Sequence, residues 1–237
     1  KITFLGGGNM ANALIGGMLK QGFAAADITV IDPGSAARDK LERTYAVNCL
    51  ETGEMLDNVG DLLVLAVKPQ QMKEAVAPLV GKLGNAVVVS IAAGLDLATL
   101  ARFLGGHRKI VRCMPNTPAL IGAGITGLCP LPEVSAAERE AADCVLSAVG
   151  STVWIDNEGR MDGVTALSGS GPAYVFLFIE ALQQAAADLG FTPEQGRQLA
   201  IETVQGAAAL AAQSDEPASV LRERVTSKGG TTEAALN

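Results

Sequence analysis

Apolar runs alternate with helical patterns over the first 156 residues of the chain. The runs are continuous in Val, Leu and Ile, which is typical of strands buried on both faces of a parallel sheet. They predict strands at Ile2–Leu5, Ile28–Ile31, Val47–Leu50, Leu62–Val67, Val87–Ile91, Lys109–Cys113, Ile125–Leu128 and Thr152–Ile155. Helical spacing predicts helices at Asn9–Gln21, Ser35–Tyr45, Gln70–Leu83, Leu95–Leu104 and Ala136–Ala148. This order of elements indicates a doubly wound α/β domain over residues 1–156.

Strand patterns end near Asp156, and residues 157–237 show helical spacing only. Helices are predicted at about Asn157–Leu167, Pro172–Leu189, Pro193–Gln213 and Pro217–Arg224. The run Ala173–Leu182 is apolar almost all the way round, so this helix must be buried on every side. So short a helical domain cannot enclose it, and we predict a homodimer or a higher homo-oligomer. A further helix starts at Thr232, and we expect it to belong to a terminal helical segment that the chain does not complete.

Composition argues against several classes of protein. The net charge is −7, and the 18 Lys and Arg residues are scattered, unlike the basic face of a nucleic-acid binder. The four cysteines form no CxxC pair and there is one histidine, so no metal site is expected. The chain opens directly with a strand rather than a secretory segment, and prolines interrupt its longest uncharged stretch. We expect a soluble, cytoplasmic protein that binds a small molecule rather than a membrane.

The first strand is followed by a glycine fingerprint of the form GxGxxA. Gly6 would allow a tight turn, Gly8 would let a pyrophosphate approach the backbone, and Ala11 would let helix and strand pack closely. The free N–H groups of the helix N-terminus would hold the phosphates. The predicted dinucleotide-binding turn consists of Gly6, Gly7, Gly8, Asn9, Met10 and Ala11. The simpler alternative is a turn that only connects a strand to its helix.

The end of the second strand is where a Rossmann-type domain meets the adenosine ribose. Asp32 would accept hydrogen bonds from both ribose hydroxyls, which favours NADH, and would repel the 2′-phosphate of NADPH. Ser35 and Arg38 would hold that phosphate instead if the loop turned Asp32 away. Asp32 as a plain turn residue before Pro33 is a third interpretation.

Two more strand ends fall where a nicotinamide would lie, because α/β sheets bind ligands at the carboxyl ends of their strands. They consist of Ala66, Val67, Lys68 and Pro69, and of Ala92, Ala93 and Gly94. Lys68 is either a catalytic acid or a contact to the cofactor or a neighbouring loop. Asn116, between two prolines, is either a ligand of substrate or carboxamide or a structural residue.

Two segments of the helical domain carry hydroxyls and glycines. Ser168 and Ser170 precede the apolar helix as capping groups near Pro172, and the absence of a nearby histidine argues against a serine hydrolase. The run from Ser227 to Thr232 would form a nest of backbone N–H groups suited to a carboxylate. A glycine turn that caps the following helix is the alternative.

Together and in this order, FLGGGNMA, AVKP, VSIAAG, VRCMPNTPA, LSGSGPAYVF and TSKGGTTEAA resemble the pyrroline-5-carboxylate reductase family over essentially the whole chain. Related β-hydroxyacid dehydrogenases carry a catalytic lysine on a helix of the second domain. The lack of lysine between Lys109 and Lys228 argues against that branch. The resemblance implies reduction of 1-pyrroline-5-carboxylate to L-proline with NADPH or NADH. It also implies a Rossmann domain followed by a helical domain that interlocks with a second subunit.

The resemblance further implies roles for particular residues. Gly6–Ala11, Ala66–Pro69 and Ala92–Gly94 would line the cofactor. The substrate would be surrounded by Glu158, Ser227, Gly230, Thr231 and Thr232, with Thr232 as the catalytic residue that bonds the imine nitrogen and the glycine loop holding the carboxylate. Lys228 stands where many relatives have proline, and Asp32 is unusual for a member that prefers NADPH.

Two other functions remain open at this point. One is an NAD(P)-dependent reductase of a different imine or a ketone. The other is a non-enzymatic dinucleotide sensor, against which the intact segments LSGSGPAY and SKGGTT both argue.

Overall fold

A computed structural model describes all 237 residues and contains one eight-stranded sheet. Its strands are β1 (Ile2–Leu5), β2 (Ile28–Ile31), β3 (Asn48–Leu50), β4 (Leu62–Leu65), β5 (Val87–Ser90), β6 (Ile110–Met114), β7 (Gly124–Pro130) and β8 (Gly150–Trp154). Their order is β3-β2-β1-β4-β5-β6-β7-β8. The prediction of a parallel sheet is correct for β1 to β6, whereas β7 is antiparallel to β6 and parallel to β8.

The reversal at β7 follows from its short connection to β6. β6 ends at Met114 and β7 begins at Gly124, with one 3-10 turn, Thr117–Ile121, between them. A parallel neighbour needs a crossover of about a dozen residues or more, usually a helix. The chain therefore returns directly alongside β6 in the opposite direction.

Helices cover the sheet and then continue alone to the end of the chain. They are α1 (Asn9–Lys20), α2 (Ser35–Tyr45), α3 (Met72–Val76), α4 (Leu97–Phe103), α5 (Ala136–Ser147), α6 (Met161–Val164), α7 (Gly171–Asp188), α8 (Pro193–Gln213), α9 (Ala218–Arg224) and α10 (Thr231–Leu236). The prediction of one helix over Gln70–Leu83 was wrong, because α3 ends at Val76 and passes into the 3-10 turn Ala77–Leu79. Pro78 lies in that turn and lacks the N–H that a continuing α-helix needs.

Apolar side chains fill both faces of the sheet. On one face Val64 belongs to the same cluster as side chains of α1 and α5. On the other face Leu63 belongs to a cluster with α3 and α4. Burial on both faces explains why the strands are continuously apolar, and it confirms the doubly wound fold class.

The direction of winding changes at β1. Leu5, its last residue, pairs in register with Ile31 at the end of β2 and with Leu65 at the end of β4. The chain moves outward from β1 to β3 on one side and from β4 onward on the other. Such a switch point opens a crevice at the carboxyl edge, where open α/β sheets bind ligands.

Residues 1–172 and 173–237 form two compact units. The last strand ends at Trp154, close to the boundary predicted after residue 156, but the first unit extends to Pro172. Met161 is buried in the apolar cluster under the sheet, and Glu158 accepts a hydrogen bond from the first turn of α4. These contacts hold the first helical residues to the sheet, so the first compact unit continues past the last strand.

The apolar helix α7 is exposed in the single chain, with Phe176 63% and Leu177 66% accessible. By length and apolar composition alone, the helical stretch Glu158–Asp188 would be sufficient to cross a membrane. A helix at the centre of a subunit interface has the same composition. The exposed face of α7 is the surface for which we predicted a second copy.

Candidate active site

The glycine turn between β1 and α1 is pressed against the end of β4. Gly6 has a φ of +103°, and a Cβ on it would lie 2.8 Å from the carbonyl oxygen of Ala66. The Gly6 N–H donates to the carbonyl of Ile31 at 2.8 Å. Only glycine adopts this φ without strain and tolerates the contact, so the turn is held close to both neighbouring strand ends.

The N-terminus of α1 is open. α1 begins at Asn9 with Gly8 as its N-cap, no side chain caps it, and its first turn carries no acidic residue. A Cβ on Gly8 would meet no atom within 4 Å. Uncapped N–H groups and a positive helix end facing free space fit the pyrophosphate of a dinucleotide.

The carboxylate of Asp32 is directed at the glycine turn. Its Oδ2 accepts the Gly7 N–H at 2.8 Å, and its Oδ1 accepts the Gly34 N–H, also at 2.8 Å. Arg38 donates from Nη1 to the backbone carbonyl of Asp32 at 2.7 Å, while its Nη2 lies 3.7 Å from Glu51. Ser35 is exposed at the start of α2. The loop has therefore not turned Asp32 away from the dinucleotide-binding turn.

The other two predicted cofactor segments reach the same edge of the sheet. The Ala66 N–H donates to the carbonyl of Leu5 at 2.8 Å, and the Ile91 N–H to that of Leu65 at 3.1 Å. Lys68 is exposed in the turn that follows β4, and Ala93 and Gly94 are exposed after β5. The ends of β1, β2, β4 and β5 thus bring together the predicted cofactor residues Gly6–Ala11, Asp32, Ser35, Ala66–Pro69 and Ala92–Gly94.

Glu158, predicted to bind substrate, has an anchoring contact in the first unit. Its Oε1 accepts the N–H of Leu97, at the start of α4, at 2.7 Å and lies 3.1 Å from Nη1 of Arg112. Arg112 is 8% exposed on β6, and its Nη2 lies 3.5 Å from Asp162. A buried guanidinium needs such carboxylates. In the sequence, the single arginine within the apolar run Ile110–Met114 could have indicated this cluster, but we did not predict the cluster.

Asp96 provides the second anchor of α4. It accepts the N–H of Thr99 at 2.6 Å as the N-cap of this helix, and that hydrogen bond lowers the pKa of its carboxyl. The segment Ala92–Gly94 precedes Asp96, with Leu95 between them. Asp96 and Glu158 together tie down α4 and thereby the end of the predicted nicotinamide loop.

Other polar residues considered from the sequence have local partners. Asn116 accepts the N–H of Ile125 at 2.9 Å, which favours the structural interpretation. The hydroxyl of Ser168 donates to the carbonyl of Val164 at 3.0 Å, one turn earlier in the helix.

The Ser227–Thr232 loop belongs to the second unit. The Gly230 N–H donates to the carbonyl of Ser227 at 3.0 Å, and α10 begins at Thr231. The Gly229 N–H donates to the carboxylate of Glu233 at 2.6 Å. Thr231 and Thr232 are exposed. The Gly229 N–H thus bonds a carboxylate of α10 itself beside two exposed threonines, an arrangement compatible with both the carboxylate nest and the alternative of a glycine turn that caps the helix.

Comparison with known proteins covers both units. The family model "Pyrroline-5-carboxylate reductase dimerisation" matches residues 158–237, and "NADP oxidoreductase coenzyme F420-dependent" matches residues 1–94. The chain is 46% identical to the pyrroline-5-carboxylate reductase of Pseudomonas aeruginosa, over 100% of this chain and 87% of the relative.

Solved structures agree with these relatives. A pyrroline-5-carboxylate reductase from Coxiella burnetii is similar with a TM-score of 0.93 and 38% identity, covering 99% of this chain and 88% of that one. A pyrroline carboxylate reductase from Plasmodium falciparum with NADP bound is similar with a TM-score of 0.87 and 30% identity, covering 100% of this chain and 87% of that one. The similarity thus extends over both units.

Gly8→Val should abolish binding of reduced nicotinamide dinucleotide and leave the fold intact. The new side chain would occupy the open space in front of α1 without meeting the protein. Titration of cofactor fluorescence together with circular dichroism checks this, with Gly163→Val as a control at another glycine whose Cβ would meet nothing within 4 Å. Normal cofactor affinity in Gly8→Val would mean that the pyrophosphate binds elsewhere.

Glu158→Gln should lower the free energy of unfolding by about 1–3 kcal/mol, because Arg112 would lose the carboxylate nearest to it. Chemical denaturation measures the loss, and Glu140→Gln, at an exposed position of α5, is the matched control. A raised KM with unchanged stability would instead support a direct contact of Glu158 with substrate.

Proposed function

The chain belongs to the pyrroline-5-carboxylate reductase family, and we propose that it reduces 1-pyrroline-5-carboxylate to L-proline, the final step of proline biosynthesis, with NADPH or NADH. The observation that carries this proposal is the open, uncapped N-terminus of α1 beside the carboxylate of Asp32 at the carboxyl edge of the sheet. That arrangement fits a dinucleotide cofactor, and the family supplies the substrate. We also propose a cytoplasmic location for this activity.

Residues of the first unit hold the cofactor in this proposal. Gly8 and the first turn of α1 bind the pyrophosphate, Gly7 bonds the carboxylate of Asp32, and Asp32 with Ser35 faces the adenosine ribose. Ala66–Pro69 and Ala92–Gly94 border the nicotinamide and leave room for it, because most of their side chains are small. When bound, the reduced nicotinamide supplies the hydride that the imine carbon accepts.

Residues of the second unit bind the substrate in this proposal. The Gly229 N–H holds the substrate carboxylate in place of Glu233, which it bonds in the structure, and Gly230 shapes the turn. The hydroxyls of Ser227 and Thr231 border it, and the Thr232 hydroxyl bonds the imine nitrogen. A cyclic imine is basic enough to be partly protonated near neutral pH, so the protein needs no histidine or lysine as proton donor. Its task is orientation.

An absorbance assay separates this function from its alternatives. Addition of 1-pyrroline-5-carboxylate to the protein and NAD(P)H should remove the reduced-nicotinamide absorbance, with L-proline identified as the product. Turnover of a different cyclic imine or a keto acid, but not of 1-pyrroline-5-carboxylate, would indicate a reductase with another pocket. Cofactor binding without turnover of any of them would indicate a sensor.

The chain forms a homo-oligomer through its helical unit, which matches a dimerisation family. Light scattering at micromolar concentration should give at least twice the 24.3 kDa of one chain. Leu177→Glu places a charge on the exposed apolar face of α7 and should shift the protein toward monomer, whereas Glu180→Gln on the same helix should not. A wild-type monomer would contradict the assignment of this face to a subunit interface.

Thr232→Ala should lower kcat/KM about ten- to a hundredfold, since a hydrogen bond to a charged partner contributes about 1.5–3 kcal/mol. Cofactor affinity should barely change, because Thr232 is not part of the dinucleotide-binding turn. Thr232→Val keeps the shape and removes the hydroxyl, so it should resemble Thr232→Ala. Steady-state kinetics on both variants decides the point, and full activity in Thr232→Val would remove the hydroxyl from the mechanism.

A further inference from the structure

We propose that this chain selects NADH over NADPH, and that Asp32 enforces the choice from a position fixed by two backbone hydrogen bonds. The inference rests on the proposed function only in that both require a dinucleotide at the β1–α1 turn. It goes further, because membership of the family does not decide between the two cofactors.

The first support is the anchoring of the carboxylate. One oxygen of Asp32 is bound to Gly7 in the dinucleotide-binding turn and the other to Gly34 in the loop that follows β2, each at 2.8 Å. Rotation of the side chain away from the turn would break both bonds. The carboxylate therefore stays at the end of β2, where the adenosine ribose of a bound dinucleotide lies.

The second support is that both carboxylate oxygens of Asp32 can still accept a further hydrogen bond. Each carboxylate oxygen has two acceptor positions, and the backbone N–H groups use one on each. The free positions can accept the 2′- and 3′-hydroxyls of NADH. A 2′-phosphate is mostly a dianion at neutral pH, so it seldom has a proton to donate and would place negative charge next to the carboxylate, which disfavours NADPH.

The third support concerns the partners of the basic side chains near Asp32. Arg38, the residue best placed to hold a 2′-phosphate, donates to the backbone carbonyl of Asp32 at 2.7 Å and lies 3.7 Å from Glu51. Its side chain is only 19% exposed. Lys40 is exposed and lines a groove along α1 that includes Asn9 of the dinucleotide-binding turn, and the Nε of Arg43 donates to the carbonyl of Asp39 at 3.0 Å. At the end of β2 a 2′-phosphate would therefore meet a carboxylate first, while Arg38 is already paired with the Asp32 carbonyl and lies near Glu51.

Direct binding tests the inference without turnover. Dissociation constants of NADH and NADPH for the full chain are measured by nicotinamide fluorescence in the absence of substrate. We expect NADH to bind about tenfold tighter or more, the factor that corresponds to about 1.4 kcal/mol of unfavourable charge interaction. Tighter or equal binding of NADPH by the wild-type protein would overturn the proposal.

Two variants and one control assign the effect to the carboxylate. Asp32→Asn keeps the shape and removes the charge, and Asp32→Ser also removes the bulk. Both should reduce the preference for NADH, and Asp32→Ser should bring the two dissociation constants to within about threefold of each other or favour NADPH. Asp39→Ser, at an exposed position of α2, should leave the ratio unchanged. An unchanged ratio in Asp32→Asn would contradict the role of its charge.

A double variant that removes the acidic neighbour of Arg38 provides a further test. Glu51→Gln removes the carboxylate beside the guanidinium, so the double variant Asp32→Ser with Glu51→Gln should bind NADPH more tightly than Asp32→Ser alone. Equal affinities would show that Arg38 does not reach the phosphate. Selective binding of NADH with no turnover of 1-pyrroline-5-carboxylate would overturn the proposed function and leave this inference standing, so the two fail separately.

Discussion

The turn between β1 and α1 lies so close to the end of β4 that a Cβ on Gly6 would be 2.8 Å from the Ala66 carbonyl oxygen. This approach brings the start of α1, the end of β2 and the end of β4 to a single edge of the sheet. The open helix N-terminus, the carboxylate of Asp32 and the small residues after β4 and β5 are useful together only because that edge is shared. Any side chain at Gly6 would separate them.

A second constraint holds the far side of the site in place. Arg112 is buried on β6, where an unpaired charge would be costly, and Glu158 and Asp162 lie near its guanidinium. Glu158 also bonds the first turn of α4, which follows the predicted nicotinamide loop. The same carboxylate therefore compensates a buried charge and holds a helix, and this explains why the compact unit continues past the last strand.

The elements most easily predicted were those whose pattern depends on burial alone. β1, β2 and β4 are continuously apolar because both of their faces are covered. The glycine fingerprint after β1 indicated that a dinucleotide binds at their carboxyl ends. The break at Pro78 was visible in the sequence, but the apolar spacing on either side of it suggested one helix. The direction of β7 depends on the length of its connection to β6 rather than on the composition of the strand.

The contacts of the site residues were harder to predict because they depend on distant partners. The orientation of Asp32 is set by two N–H groups, one of them in a turn 25 residues earlier in the chain. The pairing of Glu158 with Arg112 spans 46 residues. The sequence identifies both acidic residues as candidates. Only the fold shows that Asp32 faces the dinucleotide-binding turn and that Glu158 bonds Leu97 and Arg112.

In the proposed reaction, a dinucleotide held at this edge reduces the carbon–nitrogen double bond of 1-pyrroline-5-carboxylate. The most direct measurement uses NADH with both hydrogens at nicotinamide C4 replaced by deuterium, with mass spectrometry and NMR of the proline formed. We expect one deuterium on the δ carbon, the former imine carbon, in each molecule of L-proline. Proline without deuterium at that carbon, or oxidation of the cofactor without proline, would contradict the proposed reaction.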